Sequence, residues 1–152
     1  MSFQIKNMPY EKALEKAKWY CSFQERCILD VENRFLAWKV KREEWDKLLD
    51  VLLEQDFLNE DRYVEDFVRG KFSIKKWGRL KIKAELLKKK IKSKKVEEEL
   101  AKIDEENYHK TIQHLLEKKK ELLPKIEDEL KLRDKLYRYL ISKGYESELV
   151  VK

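Results

Sequence analysis

One pattern of apolar residues occurs three times along this 152-residue chain. In each copy, four apolar residues are separated by steps of four, five and five. The members, in order, are Val31, Phe35, Val40 and Trp45; Ile82, Leu86, Ile91 and Val96; and Leu136, Leu140, Tyr145 and Val150. The copies start 51 and 54 residues apart, a period typical of repeat proteins. A unit this small cannot bury an apolar face alone, so the pattern predicts neighbouring units that cover one another.

Each copy of the pattern indicates a helix, a tight break and then the next helix entering at a fixed angle. The sequence therefore predicts an all-α fold of tandem three-helix repeats that form an elongated, curved array. We assign residues 1–9 to an N-terminal arm and 10–58 to a first repeat. A basic second repeat spans 59–103, and a third repeat with a short last helix spans 104–152.

Capping and breaking residues refine the expected helix limits. Asn59 is expected to cap the first helix of the second repeat, because its side chain can accept a hydrogen bond from an orphan amide. Gly70 is expected to loosen or end that helix. Pro124 should interrupt the charged stretch at 117–131. Gly144 should end the helix before the last one, since glycine tolerates the left-handed cap conformation.

The composition is that of a helical, soluble protein. Charged residues make up 43% of the chain, and there are three glycines and two prolines. A hydrophobic share of 42% is too high for a disordered chain. No apolar run is long enough to span a membrane, and the first residues lack the apolar core of a signal peptide. These features favour the cytoplasm.

No residue pattern favours catalysis or metal binding. Cys21 and Cys27 lie six residues apart, on different faces of a helix, and no further ligands accompany them. We interpret both as buried, small apolar side chains. His109 and His114 point away from each other on one helix, and neither a phosphate loop nor a nucleophile with an adjacent base occurs. The sequence indicates a protein that is not an enzyme and needs no cofactor or metal.

Positive charge is concentrated in the middle of the chain. Residues 69–95 contain thirteen basic residues and one acid, Glu85, whereas the whole chain carries a net charge of +6. Clustering of this kind attracts a polyanion. The candidate residues for binding such a partner are Lys75, Lys76, Trp77, Arg79, Lys81, Lys83, Lys88, Lys89 and Lys92. Two alternatives stay open: the lysines can form a solvated face, and Trp77 can be a core residue, a base-stacking residue or a wedge in a protein groove.

The middle repeat resembles the RecX family. The resemblance rests on the stretches 61–68 (DRYVEDFV) and 78–86 (GRLKIKAEL), closed by 90–91 (KI). Looser agreement in the other two repeats comes from Ala17, Tyr20, Cys21 and Ser22, and from Arg133, Lys135, Tyr139, Leu140, Gly144 and Tyr145. Two departures concern the family's usual glycine at the end of the second helix of each repeat. Lys39 and Lys90 replace it, so the first two helix breaks are expected to differ in geometry from the third.

The resemblance implies a function that the spacing alone does not give. RecX proteins bind the RecA recombinase, above all its filament on single-stranded DNA, and restrain ATP hydrolysis and strand exchange. The implied partners are therefore this filament and single-stranded DNA, met directly or through the filament. The protein itself is expected to be a monomer without a membrane partner, acting in homologous recombination, DNA repair and the SOS response. The alternatives are a stand-alone helical DNA-binding module and, less favoured by the short apolar patterns, a coiled-coil adaptor.

Overall fold

Every regular element in the computed structural model, which describes residues 6–125 and 128–151, is a helix. The α-helices are α1 (Tyr10–Phe23), α2 (Ile28–Ala37), α3 (Trp45–Glu54), α4 (Glu60–Ser73), α5 (Arg79–Lys88), α6 (Ser93–Leu100), α7 (Glu105–Leu122), α8 (Glu129–Ser142) and α9 (Ser147–Val150). The all-α prediction is confirmed. The break expected at Pro124 lies between α7 and α8, and the last helix is short, as predicted; residues 126 and 127 lie outside the described part.

The chain divides into two compact units, Met1–Asp66 and Phe67–Lys152. In the first unit, α1, α2 and α3 pack around one apolar core. The rings of Phe35 and Trp45 lie against each other with centroids 5.8 Å apart. The indole N–H of Trp45 donates to the carbonyl of Val40 at 3.1 Å, so the buried indole has a hydrogen-bond partner. Of the arm predicted over residues 1–9, residues 1–5 lie outside the description, whereas Met8 packs on this core.

Both cysteines are buried, as the sequence predicts. Burial raises the pKa of Cys21 to about 11. Cys27 precedes α2, where its backbone N–H donates to a carboxylate oxygen of Asp30 at 3.2 Å. The burial of both side chains is typical of packing residues, because a reactive thiol needs exposure.

Of the two predictions for the limits of α4, one is confirmed and the other is wrong. Asn59 caps the helix as predicted, with its side-chain oxygen 3.1 Å from the amide nitrogen of Arg62. Gly70 does not end the helix, which continues to Ser73, so that part of the prediction is wrong. A glycine inside a helix costs about 1 kcal/mol relative to alanine. Burial of Val68 on the same helix offsets this, since a buried valine contributes about 1.5–3 kcal/mol.

The three helix ends at the repeated pattern have the same geometry. Lys39, Lys90 and Gly144 all have positive φ angles, of 61°, 62° and 97°. The residue after each donates its amide to the carbonyl five residues earlier, and the pairs are Val40 to Phe35 at 2.9 Å, Ile91 to Leu86 at 3.3 Å and Tyr145 to Leu140 at 3.2 Å. The expectation that the lysines change the geometry is therefore wrong. In each copy of the repeated pattern, the second and third apolar residues are five apart because this capping hydrogen bond joins them.

Replacing Lys90 by glycine is expected to raise the free energy of unfolding by about 0.5–1 kcal/mol. A left-handed conformation costs an L-residue about 1–2 kcal/mol, and the greater chain entropy of glycine returns part of that. Lys88→Gly is the matched control, because Lys88 is the last residue of α5, where glycine should be destabilising. Chemical denaturation checks both variants. Equal destabilisation by the two would contradict the strain at Lys90.

In the second unit, the end of α8 lies against the start of α5. The amide of Gly78 donates to the carbonyl of Lys143 at 2.7 Å, and the amide of Leu80 donates to that of Gly144 at 2.9 Å. Orphan carbonyls of one helix thereby satisfy orphan amides of another. The approach needs two glycines: a Cβ at Gly78 would lie 2.4 Å from the backbone of Gly144, and a Cβ at Gly144 would lie 2.4 Å from the Cβ of Lys81. We call this contact the α5–α8 joint.

The core of the third three-helix group lies beside this joint. Its buried members are Tyr108, Ile112, Leu115, Leu140 and Tyr145. The hydroxyl of Tyr145 donates to the carbonyl of Lys76 at 2.7 Å, and the ammonium of Lys143 donates to the carbonyl of Lys75 at 3.0 Å. Side chains and backbone from the end of α8 therefore both hold the link that precedes α5.

Candidate nucleic-acid interface

Two helices in the basic segment, α5 and α6, carry positive charge at their N-terminal ends, where the helix dipole disfavours it. Acidic side chains stabilise a helix N-terminus, which carries a partial positive charge. The first turns of α1, α2, α3, α4, α7 and α8 contain acidic residues, whereas α5 and α6 have none in theirs. Their first turns carry Arg79, Lys81, Lys94 and Lys95 instead. Positive charge is thus retained at some cost to helix stability.

Arg79 is committed to contacts inside the second unit. Its side chain is 19% exposed, and its guanidinium donates to Glu146 at 2.8 Å and to Glu105. The guanidinium lies over the ring of Tyr108, 3.9 Å from the centroid. The Arg79 amide donates to the Tyr108 hydroxyl at 3.0 Å, and that hydroxyl donates to Glu146. These contacts join α5 to α7 and to the start of α9.

Other predicted candidates differ in how far their charge is compensated. Lys83 pairs with Glu97 on α6, and Lys88 pairs with Glu85 at 3.2 Å on its own helix. Lys89 is half-buried, and Lys92 is exposed just before α6. These lysines follow α5 and the turn after it, and the structure does not gather them around one point.

Two lysines lie over the ring of Trp77, and two more adjoin them through Lys143. The ammonium groups of Lys71 and Lys81 lie 4.7 and 4.4 Å from the centroid of the indole ring. The indole itself is half-buried, with its centroid 6.5 Å from that of Phe67. Lys143 reaches the same region through its bond to the carbonyl of Lys75. We call Lys71, Lys75, Trp77, Lys81 and Lys143 the Trp77 cluster.

The lysines of the Trp77 cluster act on one another electrostatically. Burial lowers the pKa of Lys143, and the positive charges of Lys81 and Lys75 lower it further. Within residues 6–125 and 128–151, no carboxylate forms an ion pair with Lys71, Lys75, Lys81 or Lys143. An anion placed among these groups would relieve their repulsion.

Three residues of this cluster are among the candidates predicted from the sequence, and two are not. Lys75, Trp77 and Lys81 were among the predicted candidates, and the fold brings them together. Lys71 falls in the basic segment, and the signal that would have found it is its spacing from Phe67 on one helix face. Lys143 lies 68 residues from Lys75 in sequence, so local charge counting does not reach it.

Neither a metal centre nor a membrane helix occurs in the part of the chain that the structure describes. No group of three or more His, Cys, Asp or Glu side chains there is arranged to hold a metal ion. Likewise, none of the described helices has the length and apolar character needed to cross a bilayer.

Two regions of the chain match the models of known protein domains. The family model for the RecX second three-helix domain matches residues 59–100, and that for the RecX third three-helix domain matches residues 105–152. The chain belongs to the RecX family. The tandem three-helix organisation predicted from the sequence is thus shown for the RecX domains that contain the Trp77 cluster and the α5–α8 joint.

Relatives and solved structures agree with the RecX assignment. The regulatory protein RecX of Clostridium botulinum is 39% identical over 105 residues, which cover 68% of this chain and 49% of the relative. That of Clostridium beijerinckii is 38% identical over 105 residues, covering 68% and 48%. The chain thus spans about half the length of these relatives. The crystal structure of RecX from Lactobacillus salivarius has the same fold, with a TM-score of 0.80, 22% identity, and coverage of 93% of this chain and 91% of that one.

Proposed function

We propose that this RecX-family protein binds the RecA recombinase filament on single-stranded DNA and restrains its ATP hydrolysis and strand exchange. The observation that carries the proposal is the match to both the second and the third RecX three-helix domains. Relatives named regulatory protein RecX support a regulatory role. The uncompensated lysines of the Trp77 cluster supply the positive charge that a DNA-bearing filament requires.

The proposed mechanism is occupancy without catalysis. The protein acts in the cytoplasm as a monomer, and occupies the filament so that subunits cannot rearrange during ATP turnover. The basic second repeat lies nearest the DNA or an acidic lobe of the recombinase. Salt should weaken the interaction strongly, because neutralising six to ten phosphates loses about 10³–10⁵-fold in affinity between about 50 and 200 mM salt.

Saturating amounts of the protein are expected to inhibit DNA-stimulated ATP hydrolysis by RecA of the same organism. In the double variant Lys75→Gln and Lys76→Gln, the half-inhibitory concentration should rise by about 25-fold at about 0.1 M salt, as expected for two lost phosphate contacts. The matched control is Lys110→Gln with Lys118→Gln, which removes equal charge from the exposed face of α7. Hydrolysis rates and circular dichroism of each variant check this. Uninhibited hydrolysis at saturating wild-type protein would refute the proposal.

A second candidate function is a stand-alone DNA-binding module, favoured by the same unpaired lysines. It requires tight binding to naked DNA at physiological salt in the absence of any recombinase. Fluorescence anisotropy with labelled single strands distinguishes the two candidates. Tight binding to DNA alone, without inhibition of the recombinase, would favour the module.

A further inference from the structure

We propose that the Trp77 cluster binds the phosphodiester backbone of single-stranded nucleic acid, and that the bound phosphate tightens the α5–α8 joint. The inference rests on the proposed function, since single-stranded DNA is the ligand that this function supplies.

The cluster is built from four separate segments. Lys71 comes from the last turn of α4, Lys75 from the following link, Lys81 from the first turn of α5 and Lys143 from the end of α8. At the ends of α4 and α8, a lysine has an ordinary structural role because it interacts favourably with the C-terminal carbonyls. Lys81 instead stands at the N-terminal end of α5, where positive charge is unfavourable, and its ammonium group lies over the ring of Trp77. A bound anion would supply the negative charge that the first turn of α5 lacks.

The contacts of Trp77 indicate what part of a nucleic acid is bound. Two ammonium groups already lie over its ring, at 4.7 and 4.4 Å from the centroid. The indole is thus a platform that holds Lys71 and Lys81, and a base does not stack there. Lysine provides point charges rather than the planar fork of arginine. Such charges suit sequence-independent contact with phosphates, and the nearby Arg79 is engaged with Glu105 and Glu146.

The position of the cluster at the joint couples binding to structure. Lys81 belongs to α5 and Lys143 to α8, while backbone hydrogen bonds at 2.7 and 2.9 Å connect the same two helices. A phosphate held by both ammonium groups binds only while the helices are in contact. By linkage, a ligand that binds the closed joint and not the open one stabilises the closed joint.

Binding is tested on the full chain with an oligothymidine strand and with an abasic phosphodiester strand of equal length. Both should bind with similar affinity, because the contact is to phosphates. Lys71→Gln and Lys143→Gln should each weaken binding about fivefold at about 0.1 M salt and lower the salt slope by about 0.7, the share of one phosphate in a single strand. Lys118→Gln, with the same charge loss on α7, should change the affinity by less than twofold and leave the salt slope unchanged.

The coupling is tested by hydrogen exchange at the amides of Gly78 and Leu80, the two donors of the joint. Exchange should slow by about 100-fold when the oligothymidine concentration is 100 times its Kd. Lys71→Gln should need about fivefold more strand for the same protection. This variant should still fold, because the Lys71 side chain makes no hydrogen bond at the joint. Unchanged exchange rates in the presence of saturating strand would overturn the coupling.

Three further outcomes would overturn the assignment of the ligand. They are wild-type affinity and salt slope in both lysine variants, loss of binding to the abasic strand, and equal binding of a polyglutamate chain, which would point to an acidic protein surface instead. The same experiments separate this proposal from the proposed function. Inhibition of the recombinase together with wild-type strand binding in both variants would refute only the phosphate-binding role of the Trp77 cluster. Cluster-dependent strand binding without inhibition would refute only the proposed function.

Discussion

Replacing Gly144 by alanine is expected to lower the free energy of unfolding of the second unit by about 2–5 kcal/mol. Two independent costs add. The positive φ of 97° disfavours an L-residue by about 1–2 kcal/mol. The new Cβ would also lie 2.4 Å from the Cβ of Lys81 and 2.6 Å from its amide nitrogen, and overpacking of this kind costs about 1–3 kcal/mol. The α5–α8 joint must open or shift to accommodate the methyl group.

The other two glycines provide matched variants of the same chemical change. Gly78→Ala should also be strongly destabilising, because its Cβ would meet the backbone of Gly144 at 2.4 Å. Gly70→Ala should instead stabilise by about 0.5–1 kcal/mol, since nothing lies within 4 Å of its Cβ position and the residue is inside a helix. Denaturation followed by circular dichroism, with hydrogen exchange of the α7 and α8 amides to report the second unit, measures all three. Similar stabilities of the three variants would contradict the close approach.

A second large effect is expected at alkaline pH. Burial raises the pKa values of Tyr108 and Tyr145 above the ordinary value of 10.0, and the bond from Tyr108 to Glu146 raises that of Tyr108 further. Each folded tyrosine therefore keeps its proton at a pH where the unfolded tyrosine loses it. Their contribution is fully present below pH 10 and is lost above it, by about 1.4 kcal/mol per pH unit for each tyrosine.

Guanidinium denaturation of the second unit at a series of pH values above 9 measures this loss. In Tyr145→Phe, the slope of stability against pH above about 10 should fall by the share of one tyrosine. Removal of its bond to the Lys76 carbonyl should also cost about 1 kcal/mol at neutral pH. Tyr137→Phe is the matched control, because it removes a hydroxyl from a side chain that is 37% exposed. A slope unaltered by Tyr145→Phe would contradict the prediction.

Local spacing was sufficient to predict much of the fold. Helices and their ends depend on residues within a turn or two, and those interactions are readable from the sequence. The break at Pro124 and the cap at Asn59 are examples. The same local rules misjudged Lys39 and Lys90. Backbone hydrogen bonding imposes the left-handed conformation there whether or not glycine is present. Among these three helix ends, glycine is required only at Gly144, where another helix leaves no room for a Cβ.

The candidate site could be predicted only in part. The excess of positive charge in residues 69–95 is a property of composition, so it was visible at once. The distribution of that charge was not, because Arg79 turns toward Glu146, which lies 67 residues away in sequence. Lys143 joins the Trp77 cluster across a similar separation. Such contacts depend on how helices dock, and charge counting along the chain carries no information about docking.

By itself, the amino-acid sequence determined that this protein is helical, that its helices recur in groups of three, and that its middle group is basic. Each of these follows from the spacing and charge of near neighbours. Only the tertiary structure decided which lysines meet around Trp77, which basic residue is used internally, and why Gly78 and Gly144 cannot bear a side chain. The physical reason is that these features depend on the contact between the end of α8 and the start of α5. Hydrogen bonds join the two backbones there.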